Sequence, residues 1–181
     1  MLHRFGYLSI VVVMFTLSSR SEWVSLKRSG SAAAPPRVTL VQDDRNGTVL
    51  KVEVSGFEVG DLVAGAQSYN SIDLLTGAFT TEVGFPELPC VTKILAVPDR
   101  AAISVEVVDV GEEHSFTGYV VPPARRTWKE SDPEPPYVER MDAYQSEEAY
   151  PQQYASVDPP GVFRDFRITR VAVYPVRYIA A

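Results

Sequence analysis

Cysteine is almost absent from this chain: Cys90 stands alone among 181 residues. No intrachain disulfide can therefore staple the fold, which must rest on an apolar core. Histidine is nearly as scarce, with only His3 and His114. So few soft ligands give no zinc-type spacing. Asp43 and Asp44 with Asp73 or Asp132 make a poor calcium set without a glycine-punctuated acidic loop. A Gly-rich phosphate loop and a Ser in a nucleophile elbow are also missing. Neither a metal nor a cofactor is expected, and no catalytic residue is assigned. Positive charge is in deficit as well, with 17 Lys and Arg against 23 Asp and Glu and a formal net charge of -6. That balance argues against nucleic acid as a partner. Beyond residue 17 there is no long apolar run, so no membrane association is expected once the N-terminal segment has been removed.

That N-terminal segment has the layout of a secretory signal. Met1 to Arg4 is short and basic, Phe5 to Leu17 is apolar and uncharged, and Ser18, Ser19 and Ser21 follow. The apolar stretch is shorter than the roughly 18 residues a spanning helix needs. Residues 1–21 are read as a signal peptide, which places the product outside the cytoplasm, secreted or in the periplasm or cell envelope. Its removal takes Arg4 and Arg20 and no acid, moving the net charge from -6 to -8. Residues 22–36, which end in small residues and a proline pair, read as a linker. The remaining residues 37–181 suffice for one domain with a genuine core.

Strand signals dominate that domain. Val38 and Leu40 alternate with polar residues, as do Leu50, Val52 and Val54, and Asn46-Gly47 between them is a hairpin signal of the type I′ kind. Asn46-Gly47-Thr48 also fits a glycosylation sequon, which the turn explains without a glycan. Further strands are expected at Tyr69 to Leu75, Val91 to Val97, Ile103 to Val110, Ser115 to Val121 and Phe163 to Val173. Turn residues at Ser55-Gly56, Thr76-Gly77, Pro98-Asp99 and Gly111 punctuate them. Many short strands between turns indicate an all-β fold, an antiparallel β-sandwich. Alternation slips by one residue at Val107/Val108 and between Ile168 and Val171, which predicts bulged, twisted strands. One short helix is expected within Arg140 to Glu148.

Residues 122–136 break the pattern. Five of the chain's 14 prolines fall here, with Arg125, Arg126, Trp128, Lys129 and three acids. Such a segment cannot sustain a hydrogen-bond ladder, so a long exposed Pro-rich loop is expected. A Cys-His dyad is the remaining nucleophilic arrangement to weigh. Cys90 follows Pro89 at the entry to an apolar run, where a small buried hydrophobe fits, and His114 sits in an acidic turn. A structural thiol is the better reading. A glycosidase-type carboxylate pair has no local motif and nothing here supports one.

The most distinctive stretch is Gly84-Phe85-Pro86-Glu87-Leu88-Pro89, followed by Lys93 to Val97, Pro98 and Ala101. Pro86 and Pro89 withhold ladder donors and hold the segment extended, as an inter-strand crossover requires. With Ser68 to Leu74 before it, and Tyr119 to Pro123, Tyr150-Pro151 and Arg167 to Tyr178 after it, the stretch resembles the propeptide that precedes gingipain-type cysteine peptidases of bacteria. The likeness spans about residues 37 to 178. It implies an antiparallel β-sandwich prodomain that is not itself an enzyme, whose partner is a cysteine peptidase catalytic domain, in cis downstream or in trans. It also implies that the domain assists folding of that peptidase and keeps it latent by presenting a basic side chain. Arg125, Arg126 and Lys129 are the candidates in this chain, and Trp128 is a candidate interface anchor. No motif distinguishes among them, and a solvated charged loop is the plainer alternative. Since such propeptides continue into a catalytic domain, a chain of 181 residues is read as a fragment, a separately encoded prodomain or a relic. A structural or adhesive β-sandwich of the bacterial envelope stays open as a second function, and a small secreted hydrolase as a third.

Overall fold

The computed structural model describes residues 21–27, 30–44 and 47–180. The expected signal segment lies outside them apart from Ser21, as does Asn46 of the expected hairpin turn and sequon. The described residues form nine strands and one short helix in the order β1 (Ser21–Ser25), β2 (Arg37–Asp44), β3 (Gly47–Glu53), β4 (Gly56–Ala64), β5 (Gln67–Asp73), β6 (Val91–Ala96), α1 (Met141–Tyr144), β7 (Ala155–Val157), β8 (Gly161–Phe163) and β9 (Phe166–Val173). All pairings are antiparallel. They give a sheet in the order β1-β4-β5, the ribbon β2-β3, and a sheet in the order β6-β9-β7 with β8 also on β9. The all-β antiparallel expectation is met.

Turn chemistry explains the hairpins. Ala64 pairs with Gln67, so β4 and β5 are joined through Gly65-Ala66, and Gly65 takes the positive φ of +64° that a two-residue hairpin demands. Phe163 pairs with Phe166 across Arg164-Asp165, and Arg164 accepts φ of +54°. The expected single strand from Phe163 to Val173 is thus the end of β8, a tight turn and β9.

The N-terminal reading needs correction. Part of the expected linker is β1, which pairs along its whole length with Gly56 to Gly60 of β4. The reason lies in Gly56, which the sequence reading took for a turn residue. A Cβ there would come within 2.6 Å of the Trp23 ring and 2.4 Å of the Val24 carbonyl oxygen, so glycine is what lets Trp23 lie on the strand. Gly56 therefore opens β4, a strand the alternation did not reveal.

Two expected strands do not form. Ile103 to Val110 and Ser115 to Val121 belong to no sheet. Side chains tether this stretch instead. Arg167 donates to the Pro98 and Ala101 carbonyls at 2.5 and 2.9 Å. Glu113 accepts from Tyr154 Oη at 2.6 Å and from Arg177 at 3.2 Å. Phe116 meets Phe57 edge-on at 5.2 Å. Alternation marks a segment able to become a strand, but a ladder needs a run of backbone bonds to a neighbour, and among the described residues only the Asn70 amide of β5 reaches this stretch, at the Val120 carbonyl at 2.7 Å. No bulge forms at Val107/Val108 or in β9, whose register against β6 runs unbroken; the register shift lies between Leu40 and Gln42.

Phe57, Val59, Ile72, Leu74, Leu88 and Val121 form the main core. Val24 and Leu26 pack on it from the N-terminal side, and Tyr150, Val176 and Tyr178 from the C-terminal side. Leu88 comes from the proline motif and Val121 immediately precedes the Pro-rich segment, so the core joins these two stretches to the β1-β4-β5 sheet.

Candidate partner-binding loop

The motif Gly84 to Pro89 and the segment Pro122 to Ala124 lie side by side. The Glu87 amide donates to the Pro122 carbonyl at 2.8 Å, the Ala124 amide to Phe85 at 2.7 Å and the Gly84 amide to Ala124 at 2.9 Å. Pro86 and Pro123 face each other as an antiparallel bridge. The prolines lack donors, yet the residues around them carry every bond of this short ladder. Gly84 holds φ of +86°, and a Cβ on it would come within 2.6 Å of Arg140 Cγ, so this position is reserved for glycine. Thr80 secures the motif from the other side: its hydroxyl donates to the Pro86 carbonyl at 2.8 Å and accepts the Leu88 amide at 2.9 Å, both buried. The motif is more than a crossover; it is the seat on which the following loop is mounted.

That seat changes the reading of residues 122–136. The expected exposed loop is buried at its root, where Val121 is 1% and Ala124 3% exposed. Only Arg126 to Glu134 is exposed without interruption, with Pro135 buried again at the other end. Within that span the Asp132 amide bonds the Lys129 carbonyl at 2.9 Å, and the Lys129 amide bonds Asp132 Oδ2 at 3.4 Å. A tight turn therefore caps the loop, and Lys129 opens it.

The basic candidates have different surroundings. Arg125 has a side chain only 16% exposed and pairs with Glu134 at 2.6 Å. It also donates to the Pro135 carbonyl at 3.3 Å. Its guanidinium sits 4.7 Å from the Trp128 ring centroid and 4.1 Å from that of Tyr137. These contacts hold the guanidinium against the descending limb and away from the tip. Arg126 and Lys129, by contrast, are exposed, and neither side chain has an ion pair or hydrogen bond among the described residues. Trp128, 41% exposed, keeps one part of its indole on Arg125 and offers the rest to solvent.

An aromatic and acidic cluster supports the descending limb, and the sequence reading passed over it. Tyr137 packs on Tyr69 at 5.9 Å between ring centroids, and Tyr69 donates to Glu139 at 2.9 Å. Burial and the Glu139 bond push the Tyr69 phenol up to about 12. Tyr144 donates to the Val121 carbonyl at 2.7 Å, which fixes α1 to the loop root. Glu87 is half-buried near Arg125; burial raises its carboxyl above the usual range and Arg125 pulls it partly back. The signal for this cluster was the run of tyrosines after Pro136, whose rings have apolar bodies and polar tips suited to a loop base.

Cys90 is buried at 4% exposure and unpaired. It lines a cleft of about 560 Å³ together with Phe85, Tyr150 and Arg170. Burial raises its thiol, with Arg170 acting in the opposite direction, so the thiolate a nucleophile needs is disfavoured. His114 is exposed in the unpaired stretch and does not line this cleft.

A family model, Propeptide_C25, matches residues 28–181. The chain belongs to this propeptide family. It is 35% identical over 111 residues to Lys-gingipain of Porphyromonas gingivalis, an alignment covering 58% of this chain and 6% of that protein. With Gingipain R1 of Porphyromonas gingivalis it shares 30% identity over 103 residues, covering 56% of this chain and 10% of that protein. The chain thus spans only a small part of the curated relatives it matches. Two solved structures share the fold. One, described as structural insight into the zymogenic latency of gingipain K from Porphyromonas gingivalis, superposes with a TM-score of 0.69 at 24% identity over 88% of each chain. The other, a complex of Porphyromonas gingivalis RgpB pro- and mature domains, gives 0.70 at 21% identity over 78% of this chain and 73% of that one. The domain described here is therefore a propeptide domain of this family.

Proposed function

We propose that this exported propeptide domain assists folding of a gingipain-type cysteine peptidase and holds it latent by presenting the Arg126–Glu134 loop to the peptidase's specificity pocket. Lys129 is the side chain presented. One observation carries the choice: Arg125 is consumed by contacts within the loop, whereas Lys129 opens the tip turn about midway between the buried ends Ala124 and Pro135. A cation at the apex of a stiff loop can enter a pocket without unfolding what holds it. Trp128 beside it supplies apolar contact area at the rim, and Arg126 contributes charge lower on the loop. The relatives' names and the complex of RgpB pro- and mature domains support a peptidase as the partner. The layout of the N-terminal segment supports a location outside the cytoplasm.

The test is inhibition of a purified gingipain catalytic domain by this protein. Lys129→Ala is expected to raise the inhibition constant roughly tenfold or more, the loss of a central anchor. Arg126→Ala should have a smaller effect, mainly on the association rate. An inhibition constant unchanged in the Lys129→Ala/Arg126→Ala double variant would overturn the proposal.

A further inference from the structure

We propose that Arg125 is a positioning residue that clamps the two limbs of the loop together, so that a peptidase binds the tip without readily cutting it. The identity of the peptidase rests on the function proposed above; the clamp does not.

The geometry argues for a device that holds the loop shut. Arg125 leaves the ascending limb one residue after the buried Ala124. Its partners Glu134, the Pro135 carbonyl and the Tyr137 ring all belong to the descending limb. Trp128, on the ascending side of the tip, closes over its other neighbour. One planar cation thus spans the base of the exposed span with a salt bridge, a carbonyl bond and two ring contacts. Lysine could not replace it, because an ammonium lacks the flat guanidinium face that lies on the Trp128 and Tyr137 rings. The base is itself anchored by the ladder to Phe85 and Glu87 and by Tyr137 on Tyr69.

A basic residue at an exposed tip is a cleavage site for any peptidase that accepts it. Hydrolysis of the Lys129–Glu130 bond would break the C–N bond and add one water, leaving a carboxylate on Lys129 and an amine on Glu130. A peptidase must draw several residues on both sides of that bond into an extended form, which means opening the turn from Lys129 to Asp132. Cleavage then follows the population of opened loop. Holding the limbs together keeps that population low, so the loop acts as a ligand and not as a substrate.

Trypsin provides a readout that needs no cognate peptidase. Cuts after Arg126 and Lys129 in the native protein are timed by mass spectrometry, with cuts in the β2–β3 ribbon after Arg37 or Lys51 as an internal control. Arg125→Ala is expected to accelerate the loop cuts about tenfold or more while the ribbon cuts keep their rate. Arg125→Lys should not restore protection, and Glu134→Gln, which leaves the ring contacts, should give a smaller acceleration. Against a gingipain catalytic domain, the wild-type protein should stay intact and inhibitory while Arg125→Ala is consumed. Loop cuts as slow in Arg125→Ala as in the wild type would overturn the clamp. Should that variant be cut everywhere because it unfolds, Glu134→Gln decides: faster loop cuts with unchanged ribbon cuts support the clamp, and unchanged loop cuts overturn it. If the wild type fails to inhibit, the proposed function falls while the trypsin result still decides the clamp.

Discussion

Glu87 illustrates how one residue of a recognisable motif can carry a cost. Its amide holds the loop root through Pro122, while its carboxyl is half-buried and raised above the usual range by that burial, Arg125 offsetting part of the effect. In the folded protein the proton is held more tightly than in the unfolded chain. Ionisation therefore opposes folding: the carboxyl's contribution is most favourable below its unfolded value and is lost as pH rises through the folded one. Glu87→Gln keeps the amide and removes the charge. Its melting temperature is expected to exceed that of the wild type above about pH 6, and the two curves should meet below about pH 4. A variant less stable than the wild type at pH 7 would mean that attraction to Arg125 outweighs desolvation. Arg125 itself shows the limit of sequence reading at this scale. Its neighbour Arg126 has the same chemistry, and only the positions of Trp128, Glu134 and Tyr137 in space separate a fastened guanidinium from a free one.

Among the elements, β1 shows most clearly where alternation gives out. The Ser21–Ser25 strand has too few residues to display a period, and its partner begins at a glycine, so both sides of the pairing looked like turn or linker. What joins them is the Trp23 ring on Gly56, a contact between sequence-distant positions that no local pattern encodes. Trp23 is half-buried, and its indole N–H is buried without an acceptor among the described residues. Trp23→Phe is therefore expected to be nearly neutral, since it loses ring area but also an unpaired donor. Trp23→Ala should cost about 2 kcal/mol, less than the ~3–5 kcal/mol of a fully buried aromatic. Urea titration of both variants checks this; equal losses would show that β1 contributes no packing through the ring. The ribbon β2-β3 and the middles of β5, β6 and β9 were legible because turn residues bracket their alternating runs, though the ends of β5 and the start of β9 fall elsewhere than expected. Ile103 to Val110 was equally alternating yet joins no sheet, because pairing depends on a neighbour's position and not on the segment's own pattern. The proline motif was visible as a motif, but its task as a seat appeared only when Pro122 to Ala124 lay beside it.

For the whole molecule, the shortage of cysteine has a measurable consequence. With no disulfide to hold the chain, the same packed core unites the β1-β4-β5 sheet, the proline motif, the loop root and the C-terminal Val176 and Tyr178. The loop is mounted on that core, so its presentation and the fold's integrity are expected to be lost together. Cys90 reports on this. It adjoins Pro89, is 4% exposed, and has its thiol raised by burial. An aromatic disulfide reagent at pH 8 should label it slower than the unfolded chain by a factor on the order of 10³ or more. The labelling rate should rise with urea along the same slope as the global unfolding transition. Rapid labelling without urea would instead mean that the cleft beside Phe85 and Tyr150 opens on its own. Since that cleft shares Phe85 with the ladder at the loop root, local opening there would also loosen the seat of the loop. A single thiol can thus separate a loop held by the entire core from one held only by its immediate surroundings.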